Sequence, residues 1–102
     1  MANNLEIKKT VDGNKLQIDA IGRIDSVTAP EFESEIKSSI ENITALVLNF
    51  EKLDYISSAG LRVLLSSQNI MYKKGTMTII NVSEEVMEIF EVTGFSDILT
   101  IE

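Results

Sequence analysis

Leu53-Asp54-Tyr55-Ile56-Ser57-Ser58-Ala59-Gly60-Leu61-Arg62-Val63-Leu64-Leu65 follows the apolar run Ala45–Phe50 and leads into an apolar helical pattern. Strand, loop and helix meet here, and the loop-to-helix junction carries two adjacent hydroxyls, Ser57 and Ser58. A junction of this kind presents backbone N–H groups without intrahelical partners and the positive end of a helix dipole. It therefore accommodates added negative charge. A phosphoryl group placed there would leave the fold standing while changing the surface that a partner reads.

Outward from this junction, the pattern predicts a helix from about Ser58 to Lys74, with Leu61, Leu64, Leu65 and Met71 on one face and Gly75 closing it. Upstream, Ala45–Leu48 is continuously apolar, as a central strand covered on both faces would be. Before that, Phe32, Ile36 and Ile40 recur every four residues and mark a helix over about 29–41. Thr28 and Glu31 fit a capping box for it, and Pro30 is tolerated in a first turn. Leu5 and Ile7, then Leu16, Ile18 and Ala20, alternate with polar residues on either side of Val11-Asp12-Gly13-Asn14, which is a hairpin signal.

Downstream, Met77, Ile79 and Ile80 form another strand. Ser83 caps a third helix in which Val86, Ile89 and Phe90 face the core, and Gly94 stops it. Phe95, Ile98, Leu99 and Ile101 finish the chain, with a short last strand left open. The order is ββαβαβα(β). Strands alternating with helices imply an α/β fold with right-handed crossovers and a mostly parallel sheet, antiparallel only at its start.

The composition narrows the function. At 102 residues the chain is read as one small domain, 1–102, with 44% apolar and 25% charged residues. No apolar run approaches the ~20 residues that span a bilayer, and Met1-Ala2-Asn3-Asn4-Leu5-Glu6 lacks the basic-then-apolar form of a leader. Cysteine and histidine are both absent, which removes thiolate chemistry, the commonest general base and the commonest transition-metal ligand. Nine basic against sixteen acidic residues give −7, the wrong field for nucleic acid or an anionic membrane. The expectation is a cytoplasmic domain that works on another protein.

No catalytic constellation, metal cluster or cofactor motif emerges. The acidic residues are scattered, and the five glycines match neither a P-loop nor a dinucleotide fingerprint. Ser57 and Ser58 also suit plain helix capping, typically worth ~1 kcal/mol. A nucleophilic serine has no histidine to activate it. Ala59 and Gly60 leave the first helical turn without bulk, which serves close approach by a partner or tight packing on a neighbouring strand equally well. Asp25 ends the second strand at the sheet edge of the Ser57 loop, where open α/β sheets usually place their sites; it also suits a turn before a helix. Asp54 reads as a solvated loop residue.

These residues, in order, resemble the bacterial anti-sigma-factor antagonists of the STAS domain family over nearly the whole chain. Gly22-Arg23-Ile24-Asp25 is similar to the family's Gly-x-Leu/Ile-Asp after strand two. Val47-Leu48-Asn49-Phe50 and Asp54–Leu61 resemble its central strand and phosphorylation loop, and Lys74-Gly75, Phe90 and Thr93-Gly94-Phe95 match its later part. The resemblance implies a β/α superhelix with strands adjoining in sequence order and helices packed on one face. It implies a non-enzymatic partner switch as well. The unphosphorylated antagonist binds an anti-sigma factor that is a GHKL-type serine kinase, phosphorylation breaks the complex, and a PP2C-type phosphatase restores it.

Alignment on Gly60-Leu61 sets Ser58 as the acceptor, with Ser57 as the rival. Asp25, Ser57, Ser58, Ala59, Gly60, Leu61 and Arg62 become the expected contact surface. Ser57 stands where the family has aspartate, and Ala59 where it has serine or threonine, so a carboxylate beside the acceptor is missing. The same loop occurs in STAS subunits of lipid-transport and stress-sensing assemblies, where it would be a static docking surface. A small-ligand-binding domain using the Asp25/Ser57 edge is the remaining alternative.

Overall fold

Gly13 reverses the chain at φ +63, a left-handed turn that favours glycine, and so closes the hairpin read from the alternation of Leu5–Ala20. In the computed structural model, which describes residues 4–102, β1 (Leu5–Asp12) and β2 (Lys15–Ile24) pair antiparallel from Leu5↔Gly22 to Asp12↔Lys15. Met1–Asn3, part of the stretch read for a leader, lies outside the described residues. β2 then carries two parallel partners end to end. β3 (Ala45–Asn49) runs beside Lys15–Asp19, and β4 (Leu53–Ile56) beside Gly22–Ile24. β5 (Thr76–Ile80) pairs parallel with β3, giving the order β1-β2-β3-β5 with β4 beyond the end of β3.

Register explains which face is covered. Leu16, Leu46 and Met77 align across three strands, as do Ile18, Leu48 and Ile79, and all six are buried. Their neighbours Gln17, Val47 and Thr78, and Asp19, Asn49 and Ile80, face the other way and are only half-buried. The helices α1 (Ala29–Ser39), α2 (Ser58–Tyr72) and α3 (Glu84–Thr93) supply Phe32, Ile36, Leu61, Leu64, Met71, Val86 and Phe90 to the same core. The expectation that Ala45–Leu48 is covered on both faces is therefore corrected. Val47 lies between Gln17 of β2 and Thr78 of β5, and among the described residues the three helices bury apolar side chains in the core on the opposite face.

Other local readings shift as well. The residues from Leu53 to Ile56 form a strand and not a loop, so Asp54 is an exposed strand residue. Their burial runs in-out-out-in, which breaks the period of two by which strands are recognised. The capping box lies three residues earlier than expected. Thr28 has helical φ/ψ and makes no side-chain cap bond to α1; its reciprocal partner is Asp25. α2 ends at Tyr72, with Lys73 right-handed, so Gly75 is no left-handed stop. Glycine is needed there because a Cβ would collide with the Thr44 carbonyl. Gly94, in contrast, does end α3 in the left-handed conformation, at φ +82. After a 3₁₀ turn (Phe95–Asp97), the last strand reduces to one bridge, Ile79↔Ile101.

Candidate functional site

β2 and β4 end side by side, and this sets the site. The Ser57 N–H donates to the Ile24 carbonyl at 2.8 Å, so the loop after β4 is tied to the end of β2. Both chains then turn into helices, and the starts of α1 and α2 share one edge of the sheet. Packing behind this edge is close. Gly60 is buried, and a Cβ on it would lie 2.6 Å from Ile56 Cγ1 and 2.7 Å from Ile24 Cγ2.

The two serines do different work. Ser57 is the N-cap of α2, extended at φ −90, ψ 175, and its Oγ accepts the Gly60 N–H at 3.3 Å. Its carbonyl accepts the Leu61 N–H at 2.9 Å. Ser58 is the first residue of the helix and is exposed. Among the described residues no protein group is hydrogen-bonded to its hydroxyl. The first turn of α2 holds no acidic side chain, so the dipole and orphan N–H groups there remain uncompensated by charge.

Asp25 is held rigidly beside them. Its Oδ1 accepts the N–H groups of Val27 (2.9 Å) and Thr28 (3.0 Å), while its own N–H donates to Thr28 Oγ1 at 2.9 Å. Arg23 Nε approaches Oδ2 at 3.5 Å. These contacts, the Thr28 N–H foremost, keep the carboxyl below the ordinary aspartate range despite an opposing contribution from desolvation. The Arg23 guanidinium also lies 4.8 Å from the centre of the Tyr55 ring, since Arg23 and Tyr55 are register partners in β2 and β4. Residue type alone gave no signal for this pair, because their meeting depends on β4 being a strand.

The expected surface is thus divided. Ser58 and Arg62 are exposed, and Asp25, Ser57 and Ala59 half-exposed. Gly60 and Leu61 are buried and do not line it. Gly60 lets α2 settle on Ile24 and Ile56, and Leu61 belongs to the core, so both shape the loop from beneath. Ala59 and Arg62 line an open groove of about 770 Å³ between α1 and α2, together with Ser26, Pro30, Glu33 and Asn69.

The family model described as the STAS domain matches residues 6–102. The chain belongs to the STAS domain family. This STAS domain is 34% identical to BtrV of Bordetella bronchiseptica over 78% of its own length and 71% of that protein's. It is 27% identical to the anti-sigma-B factor antagonist of Bacillus subtilis, covering 96% of this chain and 89% of that one. The crystal structure of an anti-sigma factor antagonist from Mycobacterium paratuberculosis superposes with a TM-score of 0.86 at 19% identity, over 95% of this chain and 84% of the other. The last comparison shows a shared fold. Among the described residues, no helix of this STAS domain is long and apolar enough to cross a membrane.

Proposed function

We propose that this STAS domain is a cytoplasmic anti-sigma factor antagonist, not an enzyme, that switches partners by phosphorylation at Ser58. The unphosphorylated domain binds an anti-sigma factor of the GHKL serine-kinase type and so frees a sigma factor. The kinase transfers the γ-phosphoryl group of ATP to Ser58 Oγ, which gives up its proton, and ADP leaves. The added charge ends the complex, and a PP2C-type phosphatase removes it by hydrolysis. Asp25, Ser57, Ala59 and Arg62 frame the contact, with Gly60 and Leu61 supporting it from below.

The observation that carries this reading is the division of labour between the serines. Ser57 Oγ is committed to the Gly60 N–H, whereas Ser58 is exposed at the electropositive start of α2. The relatives named anti-sigma factor antagonists support the choice of partner class.

The test is incubation with an anti-sigma factor kinase co-purified from the native cell, and ATP. One phosphate mapping to Ser58, lost in Ser58→Ala and kept in Ser57→Ala, is the expected result. Phosphopeptides that map to Ser57, or outside this loop, would defeat the assignment.

A further inference from the structure

We propose that Arg62 is the intramolecular counter-ion of the phosphate on Ser58, holding it over the first turn of α2. This rests on the reading of Ser58 as the acceptor. Ser58 and Arg62 are separated by four positions on one helix and are both exposed. Side chains so spaced have Cβ atoms about 5–6 Å apart, and an acid on the amino-terminal side of a base is the favourable order. Arginine offers a planar fork of donors that suits phosphate oxygens.

The surrounding charges leave this role to Arg62. Across the groove, Glu33 is paired with Lys37 on its own helix at 3.0 Å. At the sheet edge, Asp25 is engaged by Arg23 at 3.5 Å, and that guanidinium also lies over Tyr55. Arg62 has no carboxylate within 4.0 Å among the described residues. Lys73, the other cation of the groove, is fifteen residues farther along α2 from Ser58, about 22 Å at the helical rise. Asp54 is exposed on β4, and the residue beside the acceptor is the uncharged Ser57. Of the groove and sheet-edge cations Arg23, Arg62 and Lys73, Arg62 is thus the one that both lacks a carboxylate partner among the described residues and lies about one helical turn from the phosphate, and position 57 brings no carboxylate. Its charge would be fixed in place on the contact surface and would not sweep about on a loose side chain.

The experiment separates this pairing from the reading beneath it. Phosphoserine is incorporated at position 58 during translation, so no kinase is needed, and the phosphate is titrated by ³¹P NMR at low salt. A neighbouring cation favours the dianion, so its second pKa in Arg62→Gln should exceed that of the arginine-bearing phosphoprotein by about 0.3 unit. Arg62→Lys should restore part of the shift, and high salt should erase the difference. A second pKa that Arg62→Gln leaves unchanged at low salt overturns the pairing. Kinase phosphopeptides that map away from Ser58 overturn the acceptor assignment instead, and the pairing as a regulatory device falls with it.

Discussion

Asp25 and Thr28 exchange hydrogen bonds in both directions: each backbone N–H is bound by the other residue's side-chain oxygen, at 2.9 and 3.0 Å. The pair closes the turn between β2 and α1, and the Ala29 N–H continues it by donating to the Asp25 carbonyl at 2.8 Å. An aspartate that looks like a surface site residue is therefore also the residue that sets how α1 leaves the sheet. Its position beside Ser57 follows from the same geometry, since Ile24, immediately before it, accepts the Ser57 N–H.

The first prediction uses the charge on that carboxyl. Its folded-state pKa is lowered from 3.8, chiefly by the Thr28 N–H. The ionised form is the one that stabilises the fold, fully so above the unfolded value, and the contribution is lost as pH falls through the folded one. Asp25→Asn keeps an oxygen for the backbone donors but removes the charge. Its melting temperature should lie below wild type at pH 7, and the gap should narrow as the pH drops below about 4. Thermal melts of both proteins between pH 3 and 7 check this; a gap independent of pH would show that the charge is immaterial.

A second prediction separates the two hydroxyls. Ser57→Ala removes the acceptor of the Gly60 N–H and should cost about 1 kcal/mol, the usual loss for an N-cap serine. Ser58→Ala removes an exposed hydroxyl that has no hydrogen bond among the described residues, and should stay within about 0.5 kcal/mol of wild type. Urea denaturation of the two variants measures the difference. Equal losses would mean that Ser58 has a structural task as well.

Gly60 supplies the third. In the interior of an exposed helix, alanine in place of glycine gains roughly 1 kcal/mol of helix propensity. Here the new methyl would press on the branched side chains of Ile56 and Ile24 at 2.6 and 2.7 Å, and overpacking of that kind typically costs 1–3 kcal/mol. Both side chains are stiff at their branch points, so the second effect should win. Gly60→Ala should be less stable than wild type by about 1 kcal/mol in urea unfolding. A gain in stability would show that α2 can slide off the strands without cost.

How far the sequence reaches can be seen at single residues. Phe32, Ile36 and Ile40 sit four apart and are all buried, so α1 was legible from its periodicity. Ser83 was legible as a cap and does accept the Val86 N–H; its hydroxyl also donates to the Leu53 carbonyl, a tie to β4 that no local pattern announces. β4 itself escaped because Asp54 and Tyr55 both face outward between Leu53 and Ile56. The cap of α1 is not decided by residue type, because Asp25 and Thr28 are both good capping residues and only the path of the chain out of β2 makes Asp25 the one that accepts backbone N–H groups. At the site, Ser57, Ser58 and Asp25 could be gathered from order and spacing. Leu61 was legible as part of the apolar face of α2, and the structure takes it out of the expected contact surface. For Gly60 the residues alone left partner approach and strand packing equal, and the closeness of Ile24 and Ile56 decides for packing.

Gly75 gives the fourth prediction. Its Cβ position falls on the Thr44 carbonyl, whose oxygen accepts the Thr76 N–H at 2.9 Å at the start of the β3–β5 ladder. Backbone cannot yield as a side-chain end can. Gly75→Ala should therefore destabilise by about 3 kcal/mol, at the upper end of overpacking costs, although φ at this position suits any residue. Calorimetric melting is the measurement. A melting temperature within a degree or two of wild type would mean that the loop from Lys73 to Gly75 adapts freely.

The last prediction concerns the switch. A phosphate adds about −1.5 to −2 charge at pH 7, and Ser58→Glu carries part of it. At the start of α2 such a charge is favourable, worth about 0.3–1 kcal/mol at an exposed site, so the melting temperature should hold or rise slightly. A partner that fits closely over the bare hydroxyl must make room for the charge or strip it of water, and desolvating an ion costs several kcal/mol, which pairing with Arg62 offsets only in part. With each 1.4 kcal/mol equal to a factor of ten, Ser58→Glu should weaken anti-sigma factor binding at least tenfold. Ser58→Ala, small and neutral, should bind about as well as wild type. Calorimetric titration of the three proteins against the kinase decides between a surface switch and a static surface. Equal affinity for wild type and Ser58→Glu would leave the loop without a switching role, and a lower melting temperature for Ser58→Glu would mean that the charge acts by loosening the fold.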